Sequence, residues 1–182
     1  VDICVTSGSR GGTGKTTFSI IMAHVLKYIY QKNIVVINIS RIPYRIKTDI
    51  DIRTDLIDRQ GHIRVYDFPA FQLSDRELLS LYLSCRNIVF VADEDPYTAE
   101  SAKAFLKLAR GRKLGVLVNM VIGMPKLKYI ILYSKYSKVY SIPFDEQLRI
   151  YRASGVDPIK LRSAGVAKMV KAAVDIARRL NS

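Results

Sequence analysis

The chain opens Val1-Asp2-Ile3-Cys4-Val5-Thr6-Ser7-Gly8-Ser9-Arg10-Gly11-Gly12-Thr13-Gly14-Lys15-Thr16-Thr17-Phe18. An apolar strand pattern (residues 1–6) runs into a glycine-rich turn, and an apolar helical pattern follows over residues 16–30. That order of parts is what a phosphate-binding loop requires. Glycines let the backbone curl until successive N–H groups point into one concavity, where they bind phosphate oxygens. On this reading Gly11, Gly12, Thr13, Gly14, Lys15, Thr16 and Thr17 form the cradle. The Lys15 ammonium reaches the terminal phosphates, and the Thr16 hydroxyl completes a Mg2+ shell. The motif G-x-x-x-x-G-K-[ST] wants a glycine where Ser9 stands, but the Gly-Gly-x-Gly-Lys-Thr core is intact.

Outward from the loop, short apolar runs alternate with helical patterns. Strands are expected at 33–39, 63–68, 87–92, 114–119 and 139–142. Helices are expected at 75–84, 98–109, 125–133, 146–154 and 163–180. Continuous apolar strands alternating with helices imply an α/β fold, a mostly parallel twisted sheet with helices on both faces. The 182 residues, 49% apolar and 25% charged, read as one globular domain spanning 1–182. Cys4 and Cys85 lack metal-ligand spacing with each other and with His24 and His62, and read as buried thiols of a reducing compartment. No apolar run approaches the ~20 residues of a membrane span. With no basic leader pattern ahead of the first strand, a cytoplasmic protein is expected. A start at Val1 implies an initiator methionine or a few residues ahead of it.

The segment Arg10-Gly11-Gly12-Thr13-Gly14-Lys15-Thr16-Thr17 resembles the deviant Walker A motif, K-G-G-x-G-K-T-[TS], of the ParA/MinD family of P-loop ATPases. The resemblance implies ATP (or ADP) and Mg2+ as ligands and an ATP-dependent homodimer. Arg10 would stand for the signature lysine that reaches the partner's phosphates, keeping the charge and adding planar bidentate geometry. Further matches arrive in family order. Asp67-Phe68-Pro69-Ala70 is similar to the switch II segment D-x-P-[AP], which makes Asp67 a water-mediated Mg2+ ligand and γ-phosphate sensor. Phe71 departs from the usual residue there, so the switch is expected to move differently. The segment 92–101 resembles the loop and helix carrying a serine, here Ser101. The strand ending at Asn119 resembles the one whose asparagine recognises adenine. Ile142-Pro143-Phe144-Asp145 is similar to the I-P-[YF]-D segment, placing Pro143 and Asp145 at the base. The catalytic set implied is Lys15, Asp67 and Arg10, with Thr16 and Asp67 at the metal.

One family feature is missing. The second strand normally ends in D-x-D, with one carboxylate positioning the attacking water; here the positions hold Asn38 and Ser40. Loss of one acid–base participant typically costs ~10²–10⁴ in rate, so slow hydrolysis with retained binding is expected. Asp49 and Asp51 are candidate substitutes, although their period-2 spacing also reads as an edge strand or hairpin with one solvated face. A hydrolysis-deficient regulator of protein partners is the alternative to a weak ATPase.

Charge divides the chain. From Gly111 onward there are 14 Lys and Arg against 4 Asp and Glu, whereas residues 1–110 hold 15 against 12. A basic half points to an anionic partner. Lys126, Lys128, Tyr129, Tyr133, Lys135, Tyr136, Lys138 and Tyr140 interleave cations and rings, which suits a nucleic-acid surface; the same rings also suit a core. The resemblance implies nonspecific DNA binding through this half, with Lys168, Lys171, Arg178 and Arg179 as further candidates, and an activating protein partner. The final helix, with Val, Ala and Met in its apolar stripe, reads as core packing rather than a membrane anchor.

Overall fold

The computed structural model describes residues 1–56 and 60–182. Its centre is β1 (Asp2–Thr6), whose four innermost residues are buried and which is flanked in parallel by β4 (Ile63–Asp67) and β5 (Asn87–Ala92). Among the described residues the sheet order is β3-β2-β4-β1-β5-β6-β7. The remaining strands are β2 (Ile34–Asn38), β3 (Asp51–Arg53), β6 (Arg112–Val121) and β7 (Val139–Pro143), and every pairing is parallel. The helices are α1 (Lys15–His24), α2 (Arg76–Ser84), α3 (Pro96–Leu108), α4 (Leu127–Ser134), α5 (Glu146–Ser154) and α6 (Ala164–Leu180). The expected α/β architecture is therefore present. Among the described residues no helix is long and apolar enough to cross a membrane.

Strand alternation sorts the core into two layers. Ile3 and Val5 of β1, with Val89 and Val91 of β5, pack against Phe18 and Ile21 of α1 and Met169 and Ile176 of α6. Their neighbours Cys4, Ile88 and Phe90 face the other way, toward Tyr82, Phe105, Tyr129 and Tyr133. Period-2 side-chain direction produces this division directly. Both faces must be covered, hence the continuous apolar strands.

Helix ends follow local chemistry. Asp75, Asp95, Asp145 and Ser163 cap α2, α3, α5 and α6, each accepting a bond from a backbone N–H of the first turn. The end of α1 departs from the sequence reading. A single helix over 16–30 is expected, but Val25–Ile29 forms a π-helical turn, closed by Tyr30 N–H donating to the Val25 carbonyl at 3.3 Å.

The cysteines also depart from expectation: Cys4 and Cys85 form a disulfide, with Cα atoms 6.2 Å apart. Cys4 points from β1 into the layer that holds α2, and Cys85 ends that helix. They lie 81 positions apart in the chain, so spacing alone could not bring them together. In the chain-entropy account, closing a loop of that length constrains the unfolded chain by about 4 kcal/mol.

Candidate nucleotide and metal site

Three strand ends bring the site together. Val5 of β1 and Asn38 of β2 both lie in register with Asp67 of β4, so the loop after β1 opens beside the Asp67 carboxylate. In open α/β sheets ligands bind at this carboxyl edge. The loop is anchored from behind: Thr6 Oγ1 accepts the Gly8 N–H at 3.1 Å, Ser7 and Thr13 hydroxyls bond each other, and Ser9 Oγ meets Ser101 Oγ of α3 at 2.5 Å. Gly14 sits at φ +102°, and a Cβ there would lie 2.5 Å from Asn119 Nδ2. It serves as N-cap of α1 and offers the first amides no side-chain acceptor, which suits a helix start that binds an anion.

Lys15, Thr16 and Asp67 converge. Thr16 donates to Asp67 Oδ2 at 2.6 Å, and Tyr44 donates to the same oxygen at 2.6 Å. Asp67 Oδ1 is buried and, among the described residues, has no hydrogen-bond partner. A hydroxyl beside a carboxylate with one vacant lone-pair side fits hydrated Mg2+, a hard cation that keeps several waters. Lys15 is buried and donates to the Arg10 carbonyl at 3.1 Å, curling the ammonium under the loop.

The site is electrostatically unfavourable when empty. Burial lowers the Lys15 pKa, with Asp67 opposing and Arg152 adding to the effect. Burial likewise raises the Asp67 pKa, against the bonds from Thr16 and Tyr44. A carboxyl raised in the folded state keeps a proton that the unfolded chain has released. Its share of stability is therefore present below the ordinary carboxyl value of about 4 and is lost as pH rises above it. Asp67→Asn keeps an acceptor for both hydroxyls and removes the charge. The variant is expected to melt higher than the parent at neutral pH without ligand and to lose Mg2+-dependent stabilisation by nucleotide. Thermal melts across pH 4–8, with and without ATP·Mg2+, measure both.

The residues assigned to the base surround a cavity of about 300 Å³ lined by Asn119, Pro143, Phe144, Asp145 and Met169 together with Gly12 and Gly14. A second of about 280 Å³, lined by the loop from Gly12 to Thr17 and by Arg149, Tyr151 and Arg152 of α5, continues it. Asn119 spends its amide on the loop, donating to the Thr13 carbonyl at 2.8 Å. Asp145 accepts the amides of Gln147 and Gly165, fixing the starts of α5 and α6 at the cavity rim.

Other expectations come out differently. Arg10 is exposed but pairs within its own chain, to Asp93 (3.4 Å) and Asp95 (3.5 Å). Asn38 turns its amide to the Ile42 carbonyl and its carbonyl to the Ser40 hydroxyl, holding the following turn closed. Asp49 lies beside His24 at the far end of α1, and Asp51 pairs with Arg53 on the edge strand β3. Neither carboxylate stands at the phosphate loop. Phe71 is buried edge-on to Phe105, centroids 5.1 Å apart, and its N–H donates to the Gly8 carbonyl at 3.0 Å, tying the segment after Asp67 to the loop. Tyr129 and Tyr133 of the basic half are 3% and 0% exposed, so these rings pack in the core and are closed to base stacking.

Tyr44, Tyr151, Arg149 and Arg152 are additions that the motifs did not indicate. Tyr151 is buried with its hydroxyl 2.8 Å from Thr17 Oγ1, docking α5 on the loop.

The sequence matches no protein-family model and no curated protein. Solved structures do match. The chain is similar to the MinD cell division protein of Aquifex aeolicus (TM-score 0.71, 16% identity, 99% of this chain and 96% of that one covered). The septum site-determining protein MinD of Pyrococcus horikoshii, solved with Mg-ADP, gives 0.70 and 16% over 100% and 96%. A ParA family ATPase of Chlorobium tepidum gives 0.67 and 12% over 94% and 98%. The chain has the MinD/ParA fold. The resemblance read from the loop and the later motifs thus holds at the level of architecture, along nearly the whole chain.

Proposed function

We propose that this chain is a single-domain, nucleotide-dependent switch that binds ATP·Mg2+, dimerises in that state and hydrolyses slowly. The observation that carries the reading is the convergence of Lys15, Thr16 and Asp67 on a glycine loop that opens into a cavity sized for a base. Mg2+ would supply charge neutralisation between phosphate oxygens, with Thr16 as direct ligand and Asp67 through water. The amides of Gly11 to Thr17 would orient the phosphates, and Lys15 would balance their charge. Asn119, Pro143 and Asp145 would border the base. Arg149 and Arg152 add positive charge on the α5 side of the same cavity.

Slow turnover follows from the missing carboxylates and from the geometry of Asn38, whose amide is engaged with its own turn. Tyr44 and Thr16 both bond Asp67 Oδ2, so Mg2+ would have to draw the Thr16 hydroxyl away from an oxygen that Tyr44 also holds. These two features favour the second reading, a regulator of protein partners that binds nucleotide without turnover. Steady-state phosphate release separates the readings: a rate abolished by Lys15→Ala supports an ATPase, and a background rate supports the regulator.

Arg10 would have to leave Asp93 and Asp95 to reach a partner's phosphates. Size-exclusion chromatography with and without ATP·Mg2+ tests dimerisation, and an Arg10→Ala variant that still dimerises with ATP removes the cross-dimer role. DNA remains the proposed anionic partner, held chiefly through its phosphates. Lys126, Lys128 and Lys135 around α4 and Lys168, Lys171 and Arg178 on α6 are exposed. Arg179 instead donates to the Leu114 carbonyl, and Lys138 pairs with Asp175. Retention on DNA should fall steeply with salt as counterions are released.

A further inference from the structure

The end of α1 remote from the phosphate loop carries a cluster that the nucleotide reading does not use. A cavity of about 810 Å³, larger than either cavity of the nucleotide site, is lined there by His24, Tyr28, Thr48, Asp49, Asp157 and Ile159, among others. His24 and Asp157 are 6% and 2% exposed, and His24 Nε2 lies 2.7 Å from Asp157 Oδ2. Asp49 Oδ1 approaches His24 Nδ1 at 3.9 Å. One ligand atom from each of the three residues can be chosen so that all lie within 4.8 Å of one another.

We propose that His24, Asp49 and Asp157 form a binding site for a divalent transition-metal ion of the zinc class, separate from the Mg2+ site of the phosphate loop.

One imidazole nitrogen and two carboxylate oxygens match the borderline character of Zn2+, which takes His and Asp ligands; a Mg2+ site would be built from oxygens. The donors come from three segments that the fold stitches together. His24 ends α1. Asp49 lies in the loop after β2, and Asp157 caps the short 3-10 turn Pro158–Lys160 through the Ile159 N–H at 3.1 Å. Lys47 N–H donates to the Gly155 carbonyl at 2.9 Å, and Lys47 bridges Val156 in parallel fashion, fixing Asp49's loop against Asp157's.

The charge state also fits. Burial would raise the Asp157 pKa, but bonds from His24, Thr48 and the Ile159 N–H outweigh it and hold the carboxyl below the usual range. It is therefore an anion at neutral pH. A cation held by these donors displaces the proton of the His24–Asp157 hydrogen bond, which passes to solvent. Lys27 takes the outer oxygen of Asp49, Oδ2, at 3.5 Å and leaves Oδ1 directed at the imidazole. Three protein ligands facing an open cavity leave a fourth position for water or a small ligand, the arrangement of zinc sites that do chemistry rather than of closed structural ones.

The test is zinc titration of chelator-stripped protein by calorimetry, without reductant so that Cys4 and Cys85 stay paired, and with excess Mg2+ to occupy oxygen-only sites. Co2+ absorption in the visible range reports the ligand geometry. One equivalent of zinc is expected. Asp49→Ala and His24→Gln should each weaken uptake at least about tenfold, and Thr48→Val, which removes a bond to Asp157, should weaken it by about tenfold. Asp49 is exposed and outside the core, so Asp49→Ala tests the site even where the buried variants do not fold. Absence of uptake at micromolar zinc by folded wild-type protein overturns the proposal. So does uptake by folded Asp49→Ala that equals wild type.

Discussion

Replacing Lys15 with alanine is expected to lower the affinity for ATP·Mg2+ by at least about 100-fold, from the loss of two charge-assisted bonds worth about 1.5–3 kcal/mol each. Lys15 is nearly buried, starts α1 immediately after Gly14, and has its ammonium directed back under the loop at the Arg10 carbonyl. The phosphates would complete its coordination. Without them the ammonium is desolvated, and its pKa is lowered accordingly. A lysine whose charge is unfavourable in the empty protein and matched only by an anion acts through the ligand. Lys15→Ala should therefore leave the melting temperature of nucleotide-free protein close to that of the parent, while removing the increase that ATP·Mg2+ confers. Calorimetric titration and paired melts provide the two readouts. A loss of affinity below about tenfold, roughly 1.4 kcal/mol, would mean that the loop does not hold the phosphates through this residue.

Phe105→Ala is expected to produce the largest loss of folding stability, about 3–5 kcal/mol, the range for deleting a buried aromatic ring. The ring is 2% exposed and packs edge-on against Phe71 and Tyr82, with centroids at 5.1 and 5.6 Å. It also lies against the backbone of Gly8, where an added Cβ would come within 2.5 Å. Phe105 thus joins α3, the segment after Asp67 and the base of the phosphate loop. Urea unfolding measures the stability change, and nucleotide titration of the folded fraction should show weakened binding as well. The carbonyl of Phe105 accepts the Tyr82 hydroxyl at 2.6 Å, so the alanine variant keeps that bond and isolates the ring's contribution.

What could be read in advance was local. Strand, glycine turn and helix are written within residues 2–24, because each depends on neighbours in the chain: φ freedom at Gly14, apolar repeat along α1 and unsatisfied amides at its start. The caps at Asp75, Asp95, Asp145 and Ser163 are equally local. Fold class followed from continuous apolar strands, since a strand buried on both faces has no polar alternate positions. The π-helical turn at Val25–Ile29 escaped because the apolar pattern runs on through it.

The site divides along the same line. Lys15 and Thr16 are fixed by the motif, while their meeting with Asp67 depends on β4 lying beside β1. Tyr44 and Tyr151 join that site from loops and helices of no recognisable pattern, and the rings at 129 and 133 fit a surface or a core equally well until packing is known.

The sequence by itself determined an α/β chain with an anion-binding loop after its first strand, because periodicity and glycine conformational freedom are properties of consecutive residues. Tertiary structure decided the rest. Cys4 meets Cys85, Arg10 rests on Asp93 and Asp95, and His24 faces Asp49 and Asp157, all through the order in which parallel strands pair. Contacts between residues tens of positions apart are set by how the buried faces are shared, and no short segment carries that information.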